Sequence, residues 1–412
     1  RRFTSRPWWV TGFAFLSIPF LVSGNLMRDV PAAALLTAGS ALFIWSSDRS
    51  NSRGFIAGGC LLGLAILTKY SAAALMAPLV LYPLLKKRYL QVVWLAVPGI
   101  FLAGWALHNL ILYGQFHPLY LLLERVSEPG ITRTDKFFSG VVILGTASFL
   151  SPLLVTRQLL SRKGRGLLVL FLLMGGLGVW SSFYYENGFD SEFLIWLLLG
   201  VVVLFSALRK PLTSGDRESL FLGVWVLSTF LFSVFLVPFQ AVRHLLPLMA
   251  PLTILLFREL DSRRQGLFGR RVFLSLLLTL QVTAALMVQV ADYQYASTYR
   301  DFAARVRSDF KEQDRIWFVG HWGWMFYAQR AGFRQMHRDG PRPETGDLLL
   351  WPQKVHHGDV FHDSREWRER LCLRRSYVYP GSIPVRTMNM EAKASFYAVI
   401  RQRIPFRLCG VI

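Results

Sequence analysis

The sequence has little acid, little cysteine and none of the motifs of the common soluble enzyme families. Its 412 residues carry 46 Lys and Arg against 25 Asp and Glu, and only three are cysteines. It contains no P-loop, no Rossmann fingerprint and no nucleophile elbow, which argues against nucleotide-binding and α/β-hydrolase enzymes. It also lacks an internal repeat, which counts against a transporter built from two repeated halves.

The three cysteines limit where a disulfide can form. Cys60 lies inside an apolar run and is interpreted as a small packing residue. Cys372 and Cys409 both lie near the C-terminus, and they could pair if that region faces an oxidising compartment. The sequence alone leaves this pairing open.

Long apolar runs recur from Pro7 to Val290, and the mean hydropathy of the chain is +0.37, which is high for a soluble protein. Basic clusters separate these runs in alternation. One set of connecting segments carries 20 basic and five acidic residues, whereas the opposite set carries six and seven. This asymmetry follows the positive-inside rule, so the first set is predicted to be cytoplasmic. Membrane topology thus accounts for much of the net charge of +21, and no nucleic-acid partner is predicted.

Ten apolar runs are predicted to lie in the membrane, one of them, Phe55–Leu85, as two short helices: Trp8–Val22, Asp29–Trp45, Phe55–Leu85, Gln91–Leu112, Phe138–Leu160, Gly166–Phe183, Phe193–Leu208, Leu220–Phe239, Leu245–Phe257 and Val272–Val290. As one helix, Phe55–Leu85 would be about 46 Å long, which exceeds the bilayer. It would also put Lys86, Lys87 and Arg88 outside, so we expect a turn near Lys69. Outer loops are predicted at Tyr113–Phe137 and Tyr184–Glu192.

After Val290 the charges become frequent and the apolar runs short. We predict strands at Ile316–Val319 and Leu348–Trp351, and helices at Asp292–Arg307 and Arg365–Leu371. The fold class is therefore mainly α: a polytopic transmembrane helical bundle with a small C-terminal α/β domain. The predicted boundaries are residues 1–290 for the bundle and 291–412 for the extracytoplasmic domain.

The C-terminal region has a net charge of +7, which is interpreted as a solvated basic surface or as a contact for anionic lipid or phosphate. Its aromatic residues could stack on a sugar or form the core of the domain: Trp317, Trp322, Trp324 and Tyr327. Several metal-capable side chains match no zinc pattern, and no metal site is predicted: His356, His357, Asp359, His362 and Asp363.

Three charged residues lie at the ends of apolar runs, all on the side that the charge count places outside. Asp29, before Pro31, is either a helix N-cap or a carboxylate that faces an outer cavity. Lys69, followed by Tyr70, either reaches to the membrane interface or binds a phosphate. Arg243 precedes a helix start, where a cation opposes the helix dipole, so an anionic partner is expected.

Further polar residues lie at the same predicted side. His244 follows Arg243, and Trp105, His108 and Asn109 end another outward span. The last three could reach the same cavity or anchor the helix at the interface. The acidic residues of the second outer loop are interpreted as solvated: Glu186, Asp190 and Glu192.

Three segments resemble the GT-C superfamily of polytopic glycosyltransferases, in particular glycosyltransferase family 39, with its protein mannosyltransferases, and the aminoarabinose transferases. Gly24–Pro31 is similar to the Asp-x-Pro segment that opens a family helix. Gly58–Tyr70 resembles the Gly-rich helix that ends in Leu-Thr-Lys. Arg243–Pro247 resembles the Arg-Tyr-Leu-Leu-Pro segment, with His244 in place of Tyr. His321–Phe333 and Gly346-Asp347 resemble bacterial members with a periplasmic C-terminal domain.

The resemblance implies an integral-membrane enzyme that transfers a sugar from a polyprenyl-phosphate carrier to a protein or glycolipid acceptor outside the cytoplasm, with inversion and without cofactor or metal. It implies the bacterial inner membrane as the location. Asp29 would be an auxiliary catalytic residue, and Lys69, Tyr70, Arg243, His244, His108 and Asn109 would bind substrate. The family's principal carboxylate lies in the first outer loop, which is expected upstream of Arg1.

Two other functions remain open at this level. A transporter or flippase for an anionic lipid or small molecule also has Asp, Lys and Arg between broken helices. A structural membrane subunit would tolerate neutralisation of all three charges. The sequence does not identify the sugar, the acceptor or the carrier length.

Overall fold

The computed structural model describes residues 3–24, 28–117, 120, 132–154, 191–261, 267–310, 315–337, 340–352, 370–377, 383, 385–388 and 406–411. The protein is mainly helical, with a small sheet near its C-terminus. The chain divides into two compact units. The helical unit comprises Arg1–Leu286 and Thr387–Phe396, and the sheet unit comprises Met287–Arg386 and Tyr397–Ile412.

The helices of the first unit have the following bounds: α1 Pro7–Phe15, α2 Ile18–Val22, α3 Asp29–Arg49, α4 Ser52–Thr68, α5 Met76–Leu85, α6 Ala96–Tyr113, α7 Arg133–Ala147, α8 Ser191–Thr213, α9 Arg217–Leu236, α10 Leu246–Asp261 and α11 Leu267–Asp309, the last of which continues into the sheet unit. Short 3₁₀ helices precede α5, α6 and α10, at Tyr70–Leu75, Tyr89–Leu95 and Val242–Leu245.

Within the part of the chain that the structure describes, five helical stretches are long and apolar enough to cross a membrane: Asp29–Arg49, Tyr89–Tyr113, Phe193–Thr213, Arg217–Leu236 and Arg271–Asp309. This result indicates a membrane protein. Two shorter apolar helical stretches, Ser52–Thr68 and Tyr70–Leu85, occupy the region where the sequence predicted two short helices. The predicted crossing Gly166–Phe183 and most of the loop Tyr184–Glu192 lie outside the described residues.

The predicted first span, Trp8–Val22, is wrong as a single helix. It is divided into α1 and α2, with Leu16 and Ser17 between them. Pro19 explains the break, because it has no backbone N–H to donate and its ring would clash with the carbonyl of Phe15 in a continuous helix.

The loop predicted at Tyr113–Phe137 ends earlier than expected. A capping box starts α7: the hydroxyl of Thr132 accepts from the backbone N–H of Asp135 at 3.1 Å, and the Asp135 carboxylate accepts from the backbone N–H of Thr132 at 2.9 Å. These bonds satisfy two backbone donors that a helix start leaves unpaired. The helix therefore begins at Arg133, before the apolar run that the prediction used.

Glycines let α4 pack closely against its neighbours. A Cβ atom on Gly58 would lie 3.1 Å from the carbonyl oxygen of Gly39 on α3. On the other side, a Cβ on Gly63 would lie 2.5 Å from the Phe101 ring of α6. Small residues allow such close approach between apolar helices. The Gly-rich segment thereby fixes α4 between α3 and α6, and with it the helix end next to Lys69.

The predicted turn near Lys69 is confirmed. The helix α4 ends at Thr68, and Lys69 adopts an extended conformation with φ −156° and ψ 119° before the 3₁₀ helix at Tyr70–Leu75. The apolar stretch from Ser52 to Leu85 is therefore interrupted, as the length and charge arguments required.

The helix α11 has 43 residues, so it is about 65 Å long. Two separate predictions, the span Val272–Val290 and the helix Asp292–Arg307, are parts of this one helix. Its sequence after residue 270 contains no Gly or Pro to end it. The change of composition at Val290 therefore marks the point where α11 becomes more polar, and not the end of a helix.

The sheet unit contains β1 Ile316–Phe318, α12 Trp322–Arg330, β2 Arg334–Gln335, β3 Leu348–Pro352, β4 Leu371–Tyr377 and β5 Phe406–Val411. The strand order is β2-β1-β3-β5-β4. Strand β1 is parallel to β2 and β3, and β5 is antiparallel to β3 and β4. Arg370 lies in a turn and Leu371 begins a strand, which corrects the predicted helix Arg365–Leu371 at the two residues of it that the structure describes.

Both faces of this sheet are covered by apolar side chains. One core joins Phe302 of α11 and Trp324 of α12 to Phe318 and Phe406 of the sheet. A smaller cluster on the other face contains Trp317. This packing follows from β1, whose three residues are all buried.

Candidate functional site

Asp29, Lys69 and Arg243 come together in the helical unit and are called the Asp29 cluster below. The Nζ of Lys69 donates a hydrogen bond to Oδ1 of Asp29. The Nε of Arg243 lies 4.0 Å from Oδ2 of the same carboxylate. Three helix ends thus bring together residues that are far apart in sequence.

Asp29 is the first residue of α3, and the N-cap position belongs to Arg28. No side-chain capping bond is made there. The carboxylate of Asp29 is only 7% exposed and contacts the two cations instead, so the N-cap interpretation is wrong and the cavity-facing one agrees with the contacts. Asp29 is also an anionic partner of the kind expected for Arg243.

The cluster carries more positive than negative charge. Lys69 and Arg243 contribute two cations, and Asp29 contributes one carboxylate, which leaves one positive charge in excess. The side chains of Lys69 and Arg243 remain 25% and 30% exposed, whereas Asp29 is buried between them. Charged groups are costly inside an apolar environment, so an uncompensated cation at this depth favours an anionic ligand.

A small pocket adjoins the three charges. Its remaining lining consists mostly of small or apolar residues: Ala32, Ala33, Leu36, Ser71, Ala72 and Pro247. Arg243 also borders a second small pocket, which Ser23, Phe239 and Thr387 line in part. The guanidinium carbon of Arg243 lies 5.4 Å from the centre of the Phe239 ring. Arg243 is therefore held between two openings, with Asp29 on one side and an aromatic face near it.

The other predicted binding residues are not part of the pocket lining. Tyr70 belongs to a neighbouring group, in which its hydroxyl accepts from Nε1 of Trp105 and bonds Nδ1 of His117 at 2.9 Å. The His108 ring stacks on Trp105, with 5.4 Å between ring centres. Asn109 is buried and donates to the backbone carbonyl of Trp105 at 2.8 Å. The hydrogen bond of Asn109 to its own helix indicates a structural role for this side chain.

His244 also turns away from the pocket. Its Nδ1 accepts from the backbone N–H of Ala241 at 3.3 Å, and its ring packs against Phe239 with 5.5 Å between ring centres. It therefore fixes the short 3₁₀ helix that carries Arg243. His244 does not line the pocket, so no contact there supports the prediction that it binds substrate.

Two polar residues were missed in the sequence analysis, one just after the end of α6 and one near the start of α7. His117 completes the group of Tyr70 and Trp105, and its place just after α6 was the available signal. Lys136 was counted only as a loop charge, yet it is 1% exposed and donates from Nζ to the carbonyl of Val237 at 3.1 Å. A lysine directly before an apolar run was the signal for it.

A larger, mostly apolar cavity lies farther along the same helices. It has a volume of about 520 Å³ and lies between α3, α9 and α10. Thr37, Ala41 and Ile44 line it from α3, and Ala250 and Ile254 line it from α10. Ala250 is one helical turn beyond Pro247, which lines the pocket of the Asp29 cluster. The polar pocket and the apolar cavity therefore occupy successive parts of the same two helices.

A second set of charges lies near the opposite end of α10. Arg258 contacts Asp216 at 2.5 Å and Glu218 at 3.1 Å, and nearby Arg6 contacts Asp261 at 2.7 Å. These five residues are called the Arg258 cluster. Two cations face three carboxylates there, so every cation has an acidic partner.

The tryptophans of the sheet unit have two different environments. Trp324 and Trp317 are 0% and 5% exposed, as expected for a core. Trp322 is 68% exposed, and its φ of 60° lies in the left-handed region. The core interpretation is therefore wrong for Trp322. Cys372 and Cys409 are both free, one exposed and the other buried.

The sheet register explains why these cysteines are apart. Cys372 lies opposite Gly410, and Cys409 lies opposite Leu373. Neighbouring residues of a strand point to opposite faces, so the two sulfur atoms lie on different sides of the sheet. Burial raises the pKa of the Cys409 thiol.

Among the described residues, no group of three or more His, Cys, Asp and Glu side chains is arranged to hold a metal. The His356–Asp363 segment lies outside those residues. No family model, curated protein or solved structure matches the chain. The family resemblance therefore rests on the sequence segments alone.

Proposed function

We propose that this protein is a polytopic membrane glycosyltransferase of the GT-C kind, which uses a sugar donor linked to a lipid phosphate. One observation carries the proposal: Lys69 and Arg243 share a single carboxylate, that of Asp29, beside a pocket at the ends of apolar helices. The unneutralised positive charge of this cluster suits a phosphate group. The order of the three resembling segments along the chain supports the same function.

The proposed reaction inverts the anomeric carbon. An acceptor hydroxyl attacks that carbon, and the hydroxyl proton passes to a carboxylate base. The bond between the anomeric carbon and the phosphate oxygen breaks, and its electron pair leaves with the polyprenyl phosphate. Lys69 and Arg243 would stabilise the developing negative charge, an effect for which one donor is typically worth about 10²–10³-fold in rate.

Asp29 has an auxiliary role in this proposal. Its two carboxylate oxygens face two different cations, so it fixes the distance and direction between Lys69 and Arg243. Preorganised charges stabilise a transition state more effectively than charges that must reorient during the reaction. Removal of Asp29 should therefore disturb the geometry of the cations without removing their charge.

The apolar cavity supports a lipid-linked donor over a soluble sugar nucleotide. Its volume of about 520 Å³ and its mostly apolar lining suit a hydrocarbon chain, while Asp48 and Arg49 at the end of α3 give it a charged border. Since α3 and α10 line both this cavity and the small polar pocket, a phosphate at the Asp29 cluster and a chain in the cavity would contact the same helices.

The charge asymmetry of the connecting segments supports a defined orientation. It would put the Asp29 cluster on the extracytoplasmic side of a bacterial inner membrane, with the sheet unit on that side as well. Transfer would then take place outside the cytoplasm, on a protein or glycolipid acceptor.

A transporter or flippase for an anionic lipid is the second candidate. The interrupted apolar stretch at Lys69 favours it, because transporters bind charged substrates at broken helices. A flippase would carry the intact lipid-linked sugar across the bilayer, whereas a transferase would cleave it.

One experiment separates these functions. The full-length protein is reconstituted in liposomes with a labelled polyprenyl-phosphate sugar and its native membrane acceptors. We expect label on an acceptor, lost in Lys69→Ala and Arg243→Ala but kept in Arg53→Ala, an exposed cation at the other end of α4. Normal transfer by either of the first two variants would contradict the phosphate role. Labelled lipid that crosses the bilayer with its sugar still attached would favour the flippase.

A further inference from the structure

The sheet unit contains a cleft that the proposed reaction does not use. It has a volume of about 430 Å³ and lies between the last turns of α11 and the helix α12. Three arginines line it: Arg300 and Arg307 from α11, and Arg330 from the end of α12. The hydroxyl-bearing residues Ser308 and Tyr327 are also part of its lining.

Helix geometry explains why two of these arginines face the same opening. Arg300 and Arg307 are seven residues apart, which is close to two full turns, so they lie on one side of α11. Ala303 and Ala304 lie between them, and Ala331 lies across the cleft. These short side chains leave the space between the two helices that the three arginines line.

The charges of the cleft are not balanced by its own lining, because none of the lining residues is acidic. Arg300 contacts the neighbouring Asp301 at 3.0 Å, but both side chains are more than half exposed, at 57% and 63%. Exposed pairs of this kind are weak and exchange readily with other partners. Arg307 donates to the carbonyl of Phe310 at 3.3 Å and lies 5.9 Å from the Phe333 ring centre.

We propose that this cleft binds a phosphate group. Arginine presents a planar fork of donors that matches phosphate oxygens, and three such forks around one opening suit a multiply charged anion. The hydroxyls of Ser308 and Tyr327 can add hydrogen bonds. The phosphate can belong to a lipid headgroup or to a free solute, since both present the same oxygens. This site is independent of glycosyl transfer and of the Asp29 cluster.

The test uses the full chain in nanodiscs of neutral phosphatidylcholine, titrated with inorganic pyrophosphate. We expect saturable pyrophosphate binding. The single variants Arg300→Gln and Arg330→Gln should each weaken it about tenfold, which is the loss typical of a charge-assisted hydrogen bond. Arg305→Gln is the matched control. Arg305 is exposed on the same helix, two residues from Arg307 and therefore on the opposite side of α11.

A second arm identifies the source of the phosphate. Native mass spectrometry of the protein in mixed nanodiscs measures retained phosphatidylglycerol. If phosphatidylglycerol is retained, and if both added pyrophosphate and Arg300→Gln abolish this retention, the cleft binds a lipid headgroup. If the protein binds pyrophosphate but does not retain phosphatidylglycerol, the cleft binds a free phosphate compound. Absence of pyrophosphate binding would overturn the proposal. So would an equal loss in Arg305→Gln, because the binding would then be a general property of a basic surface.

Discussion

The two charged clusters of the helical unit lie near opposite ends of α10 and differ in their balance of charge. In the Arg258 cluster, three carboxylates face two arginines, with contacts of 2.5–3.1 Å. In the Asp29 cluster, one carboxylate serves two cations, and Arg243 is 4.0 Å from it. In the first arrangement each cation has a carboxylate of its own, whereas the second leaves a positive charge beside a pocket. On the function proposed above, this difference separates a cluster that holds helices together from one that binds a phosphate.

The Arg258 cluster also connects more elements. Asp216 is the N-cap of α9, where it accepts from the backbone N–H of Glu218 and from the hydroxyl of Ser219. Arg258 additionally donates to the carbonyl of Phe3 at 3.2 Å. A single arginine therefore links the N-terminal segment, the start of α9 and the end of α10.

The largest expected effect is the loss of stability in Arg258→Met. The substitution leaves Asp216 and Glu218 without their cation, at a cost of about 2 kcal/mol. This is below the roughly 3–5 kcal/mol of a fully buried pair, because both acids are partly exposed. Thermal unfolding in detergent measures it, with Arg53→Met as the control. Unchanged unfolding would mean that this cluster does not hold the helices, and the comparison would fail.

Asp29→Asn should act on turnover more than on donor binding. The amide keeps the shape of the side chain but loses the charge that orients Lys69 and Arg243. We expect a loss of about tenfold in kcat, with a KM for the lipid-linked donor that does not rise, because both cations remain. Steady-state transfer kinetics in liposomes measure both constants. A higher KM at unchanged kcat would contradict this role.

Ala250→Phe tests whether the apolar cavity holds the lipid chain. The larger side chain would occupy part of the space between α3 and α10, and we expect the KM for a long-chain donor to rise several-fold. A donor with a short chain should be affected less. Ala57→Phe, on an exposed face of α4, is the matched control. Equal effects for the long and short donors would remove the cavity from the binding site.

The smallest expected effect concerns the cysteines of the sheet unit. With Cys60 replaced by Ser, a maleimide at neutral pH should label Cys372, which is exposed, and spare Cys409. The raised pKa of Cys409 keeps its thiol protonated at that pH, and burial also hinders access. Mass spectrometry counts the labels before and after unfolding. If neither thiol reacts until a reductant is added, the two cysteines are paired and the sheet register is wrong.

Parts of this architecture follow directly from the sequence. The turn at Lys69 was predictable, because a single helix from Phe55 to Leu85 conflicts with both bilayer thickness and the positive-inside rule. The common side of Asp29, Lys69 and Arg243 followed from the same charge count. Their contacts did not, because they depend on how closely α3, α4 and α10 approach one another.

The errors have local physical causes. Hydropathy could not detect the break before Pro19 or the early start of α7, since both depend on backbone hydrogen bonds and not on polarity. The fall in hydropathy after Val290 suggested the end of a helix where α11 continues, although the two compact units do divide close by, between Leu286 and Met287. Tyr70 and His244 were assigned to the site through the resembling segments that contain them; in the structure, the Tyr70 hydroxyl bonds Nδ1 of His117, and Nδ1 of His244 accepts from the backbone N–H of Ala241.

The most direct test of the comparison is the binding of polyprenyl phosphate without its sugar to the full-length protein in neutral nanodiscs. We predict that Lys69→Ala and Arg243→Ala each weaken binding about tenfold, while Arg258→Ala, assayed below its unfolding temperature, leaves it unchanged. If the first two variants bind as tightly as the unmodified protein, or if Arg258→Ala weakens binding to the same extent, the Asp29 cluster does not hold a phosphate.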